Sequence, residues 1–111
     1  MNLQQREIIL TPFPFSNLEK EKVRPSLIIS NDLYNKKFDD IIVVPLTSNL
    51  KFREYSIPVT NKDLDNGKII TESKIKVDKI FSINKKLVRL TIGKVSNEKF
   101  QEVKQEFLKL I

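Results

Sequence analysis

Four short apolar runs, Ile8-Ile9-Leu10, Leu27-Ile28-Ile29, Ile41-Ile42-Val43-Val44 and Ile69-Ile70, are each cut off by Pro, Asn, Asp, Ser or Gly before they reach helical length. They predict short buried strands. Glu54 to Val59 and Lys74 to Ile80 alternate polar with apolar residues, the period of a strand with one wet face. In the second of these the alternation breaks near Lys79, which predicts a bulge or a strand end there. No amphipathic stretch long enough for a crossover helix separates the runs. A βαβ sheet is therefore disfavoured, and the fold expected is mainly β with short helices: a small, curled antiparallel β-barrel.

Only the C-terminal stretch reads as a full helix. Ser96 is placed to cap it, Glu98 lies in its first turn, and Phe100, Val103, Phe107 and Leu110 follow at helical spacing, with Lys99, Lys104 and Lys109 off that stripe. This helix should cover the sheet. Shorter helical turns are expected to start at Ser30 or Asn31 and at Ser82. Asp65-Asn66-Gly67 reads as a turn, since Asn and Gly accept positive φ. Asn61, Asp63, Asp65 and Glu72 fall at the spacing of calcium-loop ligands, but the glycine comes one place late and the flanks read as strands, so that reading is rejected. Thr11-Pro12-Phe13-Pro14-Phe15 should leave the first strand as an extended edge segment, with Phe13 or Phe15 either buried or free to stack on a base.

At 111 residues, with 40% apolar and 31% charged side chains, the chain fits a single domain over residues 1–111. It has no Cys and no His. Thiolate nucleophiles, disulfides and the usual zinc clusters are thereby excluded, and any acid/base chemistry must use other groups. No run has the length and apolarity of a membrane span, and the first residues lack the layout of a signal peptide, so a cytoplasmic protein with no membrane contact is expected.

The net charge of +6 is unevenly distributed. Between Lys74 and Lys94 seven basic side chains accompany one acid, Asp78, a concentration that suits a polyanion or simply a solvated face. Arg24, in Lys22-Val23-Arg24-Pro25, precedes a proline that holds it in extended backbone. Its planar guanidinium can bind phosphate through two parallel bonds; a surface pair with Glu19 or Glu21 is the plainer alternative. Pro45-Leu46-Thr47-Ser48-Asn49 ends the most apolar strand with three small polar side chains, a set that can donate to phosphate oxygens or merely end a strand.

Taken in order, Arg6 to Phe15, Lys22 to Asn31, Ile41 to Ser48, Lys79 to Lys85 and Ile92 to Val95 resemble the MazF/PemK family of toxin endoribonucleases. The resemblance implies a homodimer of MazF/PemK/CcdB-like barrels that cleaves single-stranded RNA without metal or cofactor. It further implies sequence-selective cutting of mRNA and a cognate antitoxin protein, together with which such toxins bind DNA. Carried over by position, the catalytic pair falls on Arg24 and Thr47. Lys22, Ser48, Asn49, Lys79, Lys85 and Lys86 are the candidate RNA-binding residues. The ribose hydroxyl of RNA would itself attack phosphorus, so neither His nor Cys is required. Three places depart from the family: Arg6-Glu7 stands for a Gly-Asp pair, Phe81 for an Arg and Asn84 for an Asp. Two other readings are a non-catalytic small barrel that binds nucleic acid or protein, and a gyrase poison. The end at Leu108-Lys109-Leu110-Ile111, without the Trp-Gly-Ile of such poisons, speaks against the latter.

Overall fold

The computed structural model describes residues 2–12 and 23–111. Phe13, Phe15, Glu19, Glu21 and Lys22 lie outside them. The described residues form β1 (Glu7–Pro12), β2 (Val23–Ile28), α1 (Asp32–Lys37), β3 (Asp40–Thr47), β4 (Ser56–Val59), β5 (Leu64–Gly67), β6 (Ser73–Lys76), β7 (Phe81–Asn84), β8 (Leu90–Val95) and α2 (Asn97–Leu108). The strands make one curled antiparallel sheet in the order β4-β6-β3-β2-β1-β8-β5, with β7 also on β3. This is the mainly β architecture that the segmentation of the sequence predicts.

Strand alternation gives the sheet two cores. Ile8, Leu27 and Val44 stand side by side across β1, β2 and β3 and pack with Ile75, Val95 and the α2 residues Phe100 and Val103. Their neighbours Ile9, Ile28 and Val43 point to the other face, where Leu3, Ile41, Ile83 and Val88 complete a second cluster. Both faces of the central strands are thus covered over part of their length, which is why their sequences run apolar without a polar alternate.

The prolines mark where the ladders stop. Pro12 ends β1 opposite Val23, beyond the last β1–β8 pair at Leu10. The expected edge segment therefore stays in the ladder through Pro12. Pro58 lies on the edge strand β4. Pro45 sits inside β3, but β3 pairs with β7 only through Val43 and with β6 only from Leu46. Its missing N–H falls in that gap, so no ladder bond is lost. The β6 strand ends at Lys76 with a turn at Val77-Asp78, matching the expected break before Lys79.

Four expectations about local structure are corrected. Ile69-Ile70 is no strand: Ile69 is buried and held by the Asn61 side chain, which accepts from its N–H at 2.8 Å, while Ile70 is fully exposed. Asp65-Asn66-Gly67 is part of β5 rather than a free turn. Ser82 lies within β7, and the short 3-10 turn that follows is capped by Asn84, whose Oδ1 accepts from the Lys86 N–H. Leu110 lies beyond the end of α2 and is exposed. Asn31 and Ser96 cap α1 and α2 as expected.

Lys99 is also buried, not on the wet side of α2. Its ammonium donates to the Pro58 carbonyl at 3.0 Å and lies 3.1 Å from Glu102 and 3.8 Å from Asp63. One side chain thus ties the start of α2 to β4 and to the 3-10 turn at Asn61–Asp63. Lys99→Met keeps the apolar stem but removes the donor to the Pro58 carbonyl and the counter-charge of Asp63 and Glu102. It should lower stability by roughly 1–3 kcal/mol in denaturant unfolding.

Candidate functional site

Arg24 and Thr47 are 23 positions apart; they lie on neighbouring strands, β2 and β3, just past the end of the β2–β3 ladder, and both line one pocket. Its register pairs Ser26 with Pro45, Leu27 with Val44 and Ile28 with Val43. Continued by two residues, that register sets Arg24 across from Thr47. The period of two places both side chains on the face of Ile28 and Val43, where the second core gives way to polar residues. Pro25 holds Arg24 extended at the strand entrance, and Thr11 of β1 stands opposite it on the other side.

A pocket of about 490 Å³ opens at this end of the sheet. Arg24, Thr47, Ser48, Thr71 and Ser73 give it polar groups, and Leu46, Ile69, Ile70 and Ile92 are among its apolar walls. Consecutive residues of β2 and β3 line it, so it wraps around the strand ends and draws on both faces of the sheet. The chain leaving β3 is folded by two local bonds. The Asn49 N–H donates to Thr47 Oγ1 at 3.2 Å and the Lys51 N–H donates to Asn49 Oδ1 at 3.1 Å. The first uses the Thr47 oxygen as an acceptor and leaves the hydroxyl proton available to a ligand.

The other expected contacts are spread more widely. Ser48 lines the pocket, and Asn49 is exposed beside it. Lys79 is exposed in the connection from β6 to β7, its N–H donating to the Lys76 carbonyl. Lys85 and Lys86 follow β7, whose last residue pairs with Asp40 at the opposite end of β3 from Thr47. At ~3.3 Å per residue the eight residues of β3 put them roughly 23 Å from the pocket. Lys85 Nζ donates to the Asn35 carbonyl, while Lys86 is exposed. The basic stretch from Lys74 to Lys94 is therefore continuous in sequence only, since β3, β2 and β1 lie between β6 and β8. At two departures from the family, the contacts shown are packing and capping: Phe81 packs on the second core, and Asn84 caps a turn.

Lys74 is missing from the expected set. It stands beside Thr47 in the β3–β6 ladder and beside Pro58 in β4. Its position in the alternation of Lys74 to Ile80 was visible, but its neighbour was not, because antiparallel register between distant strands leaves no local mark.

Asp78 carries the other resolved electrostatic feature. Arg53 grips its carboxylate with both guanidinium arms, at 2.6 and 2.9 Å. The hydrogen bonds from Arg53 hold the Asp78 carboxyl below its ordinary value and raise Arg53 above its own. A depressed carboxyl pKa stabilises the fold above the unfolded value of ~3.9 and loses that contribution as pH falls through the lowered one. Wild type should exceed Arg53→Met in stability by about 1 kcal/mol or less at pH 7, and the difference should shrink as the pH falls below ~4 and vanish once it is below the lowered value of Asp78. Urea unfolding at a series of pH values measures it.

Residues 4–111 match the family described as PemK-like, MazF-like toxin of type II toxin–antitoxin system. No curated protein matches the chain. Among solved structures, an endoribonuclease in complex with its cognate antitoxin from a Mycobacterial species is 15% identical, with a TM-score of 0.78 over 96% of this chain and 92% of that one. The Mycobacterium tuberculosis toxin MazF-mt6 is 19% identical, with a TM-score of 0.75 over 94% of each chain. A MazE–MazF complex from Deinococcus radiodurans gives 16% identity and a TM-score of 0.79 over 99% of this chain and 96% of that one.

Proposed function

Because the chain belongs to the PemK-like, MazF-like toxin family of type II toxin–antitoxin systems, we propose that it is a sequence-selective, metal-independent endoribonuclease acting on single-stranded RNA. The observation that supports the reading is a single pocket lined by both Arg24 and Thr47, at the end of the sheet where the β2–β3 ladder stops. The nucleophile is the substrate's own 2′-hydroxyl. Its oxygen loses its proton and bonds to the adjacent phosphorus, the bond to the 5′ oxygen of the next nucleotide breaks and that oxygen takes up a proton, and the products carry a 2′,3′-cyclic phosphate and a 5′-hydroxyl. Negative charge grows on the phosphoryl oxygens on the way. Arg24 offers them two parallel charge-assisted hydrogen bonds, and Thr47 offers its free hydroxyl proton.

The apolar walls at Ile69, Ile70 and Ile92 suit the faces of unpaired bases, and Ser48 and Asn49 suit base edges or phosphate. Lys22 and Lys79 would bind near the cut, Lys85 and Lys86 the flanking nucleotides that run along β3. A chemistry that draws its nucleophile from RNA suits a chain without His or Cys. Like the endoribonuclease of similar fold that was solved in complex with its cognate antitoxin, the protein would bind a cognate antitoxin. That antitoxin would hold it in check, and the active form would be a homodimer. Incubation of purified, antitoxin-free protein with a long single-stranded RNA in EDTA tests this. Discrete fragments with 5′-hydroxyl ends are expected; intact RNA would refute the enzyme and leave a non-catalytic barrel.

A further inference from the structure

Beyond β3, on the side away from β2, the sheet continues with β6. Thr47 pairs with Lys74, and Lys76, two residues further along β6, lies on the same side by alternation, so both lysines share the face of Thr47. Thr47 stands in the middle of this row, with Arg24 one strand to one side and Lys74 one strand to the other. At ~4.8 Å per strand the two cations are anchored about 10 Å apart. Lys74 is half-buried, and its Nζ donates to the Lys51 carbonyl at 3.0 Å. That bond holds the ammonium over the turn that follows Thr47 and leaves two of its three donors. Asp78, two residues beyond Lys76, is occupied by Arg53 and so does not cancel the charge of the row.

We propose that Lys74, supported by Lys76, forms a second phosphate subsite next to the Arg24–Thr47 centre, which grips the backbone phosphate adjoining the one that is cut. This rests on the ribonuclease reading and assigns the subsite to β6, a strand that none of the expected RNA contacts occupies. Arg24 and Thr47 act on the phosphate that reacts. Lys74 acts equally on ground state and transition state, so its contribution appears in KM and in the salt dependence of binding, not in kcat.

The test compares wild type, Lys74→Met, Lys74→Arg and Arg24→Ala on one short RNA containing a single cut site. Binding is measured by anisotropy on the same oligonucleotide with a 2′-deoxyribose at that site. Lys74→Met should raise KM about 5- to 20-fold with kcat within twofold, and lower the slope of log K against log salt by about 0.7, the value of one single-strand phosphate contact. Lys74→Arg should restore both. An unchanged salt slope in Lys74→Met, or a fall in kcat alone, would overturn the subsite and leave Lys74 as a prop for the turn. The ribonuclease reading fails separately: it falls if wild type does not cut the RNA, whatever the Lys74 variants bind.

Discussion

Arg24→Ala should lower RNA cleavage by about 10²- to 10³-fold while the protein stays folded. The exposed end of β2 carries the guanidinium, and the residues that pin this strand are Leu27 and Ile28, both fully buried. Truncation should therefore leave the melting temperature within a few degrees of wild type. The loss should fall chiefly on kcat, because the charge that Arg24 meets develops only as the phosphorus becomes five-coordinate. Arg24→Lys keeps the charge but not the planar fork, and should recover only a small part of the rate. Wild-type turnover by Arg24→Ala would remove Arg24 from the mechanism.

Gly67→Ala should damage the fold more than any other single-methyl change on this side of the sheet. Gly67 has φ +80, and a Cβ there would lie 2.1 Å from the Ile92 carbonyl oxygen and 2.3 Å from the Gly93 Cα. Both obstacles are backbone of β8, so relief requires the β5–β8 ladder to open. A destabilisation of roughly 3–5 kcal/mol is expected, with Tm lowered by about 15 °C or more. Gly93 supplies the control. It pairs with Gly67, but its own Cβ would meet the Asn66 carbonyl oxygen at 3.0 Å and a flexible Leu64 methyl at 3.3 Å. Gly93→Ala should therefore cost distinctly less. Equal melting temperatures for the two variants would contradict the close approach of the strands.

The apolar runs revealed the strands because burial on both faces leaves a local signature, and α2 showed itself through Ser96 and the spacing of Phe100 and Val103. The cores were legible in the same way. The pairing of strands was not, since a register such as Thr47 with Lys74 depends on how the whole sheet closes. For the same reason the lysines from 74 to 94 looked like one stripe, although the topology distributes them over separate strands and the connections between them. Arg6 shows a different limit. It adopts φ 80, a conformation that glycine takes freely, at the place where the family usually has Gly. Its Nη1 donates to the Val95 carbonyl at 2.7 Å and to Asp65 at 3.1 Å, tying β1 to β8 and β5. These contacts offset a strain of about 1 kcal/mol, so the turn before β1 forms with Arg6 in it. Lys99 misled because its burial is set by partners in β4 and the Asn61–Asp63 turn, not by its place on the helix.

The claim that RNA supplies its own nucleophile is tested most directly by replacing one ribose with 2′-deoxyribose on the 5′ side of the mapped cut, in an otherwise unchanged RNA. Cleavage at that bond should disappear while the oligonucleotide still binds and the all-ribose control is cut to a 2′,3′-cyclic phosphate. Cutting of the deoxy-substituted bond at the rate of the control would contradict the account.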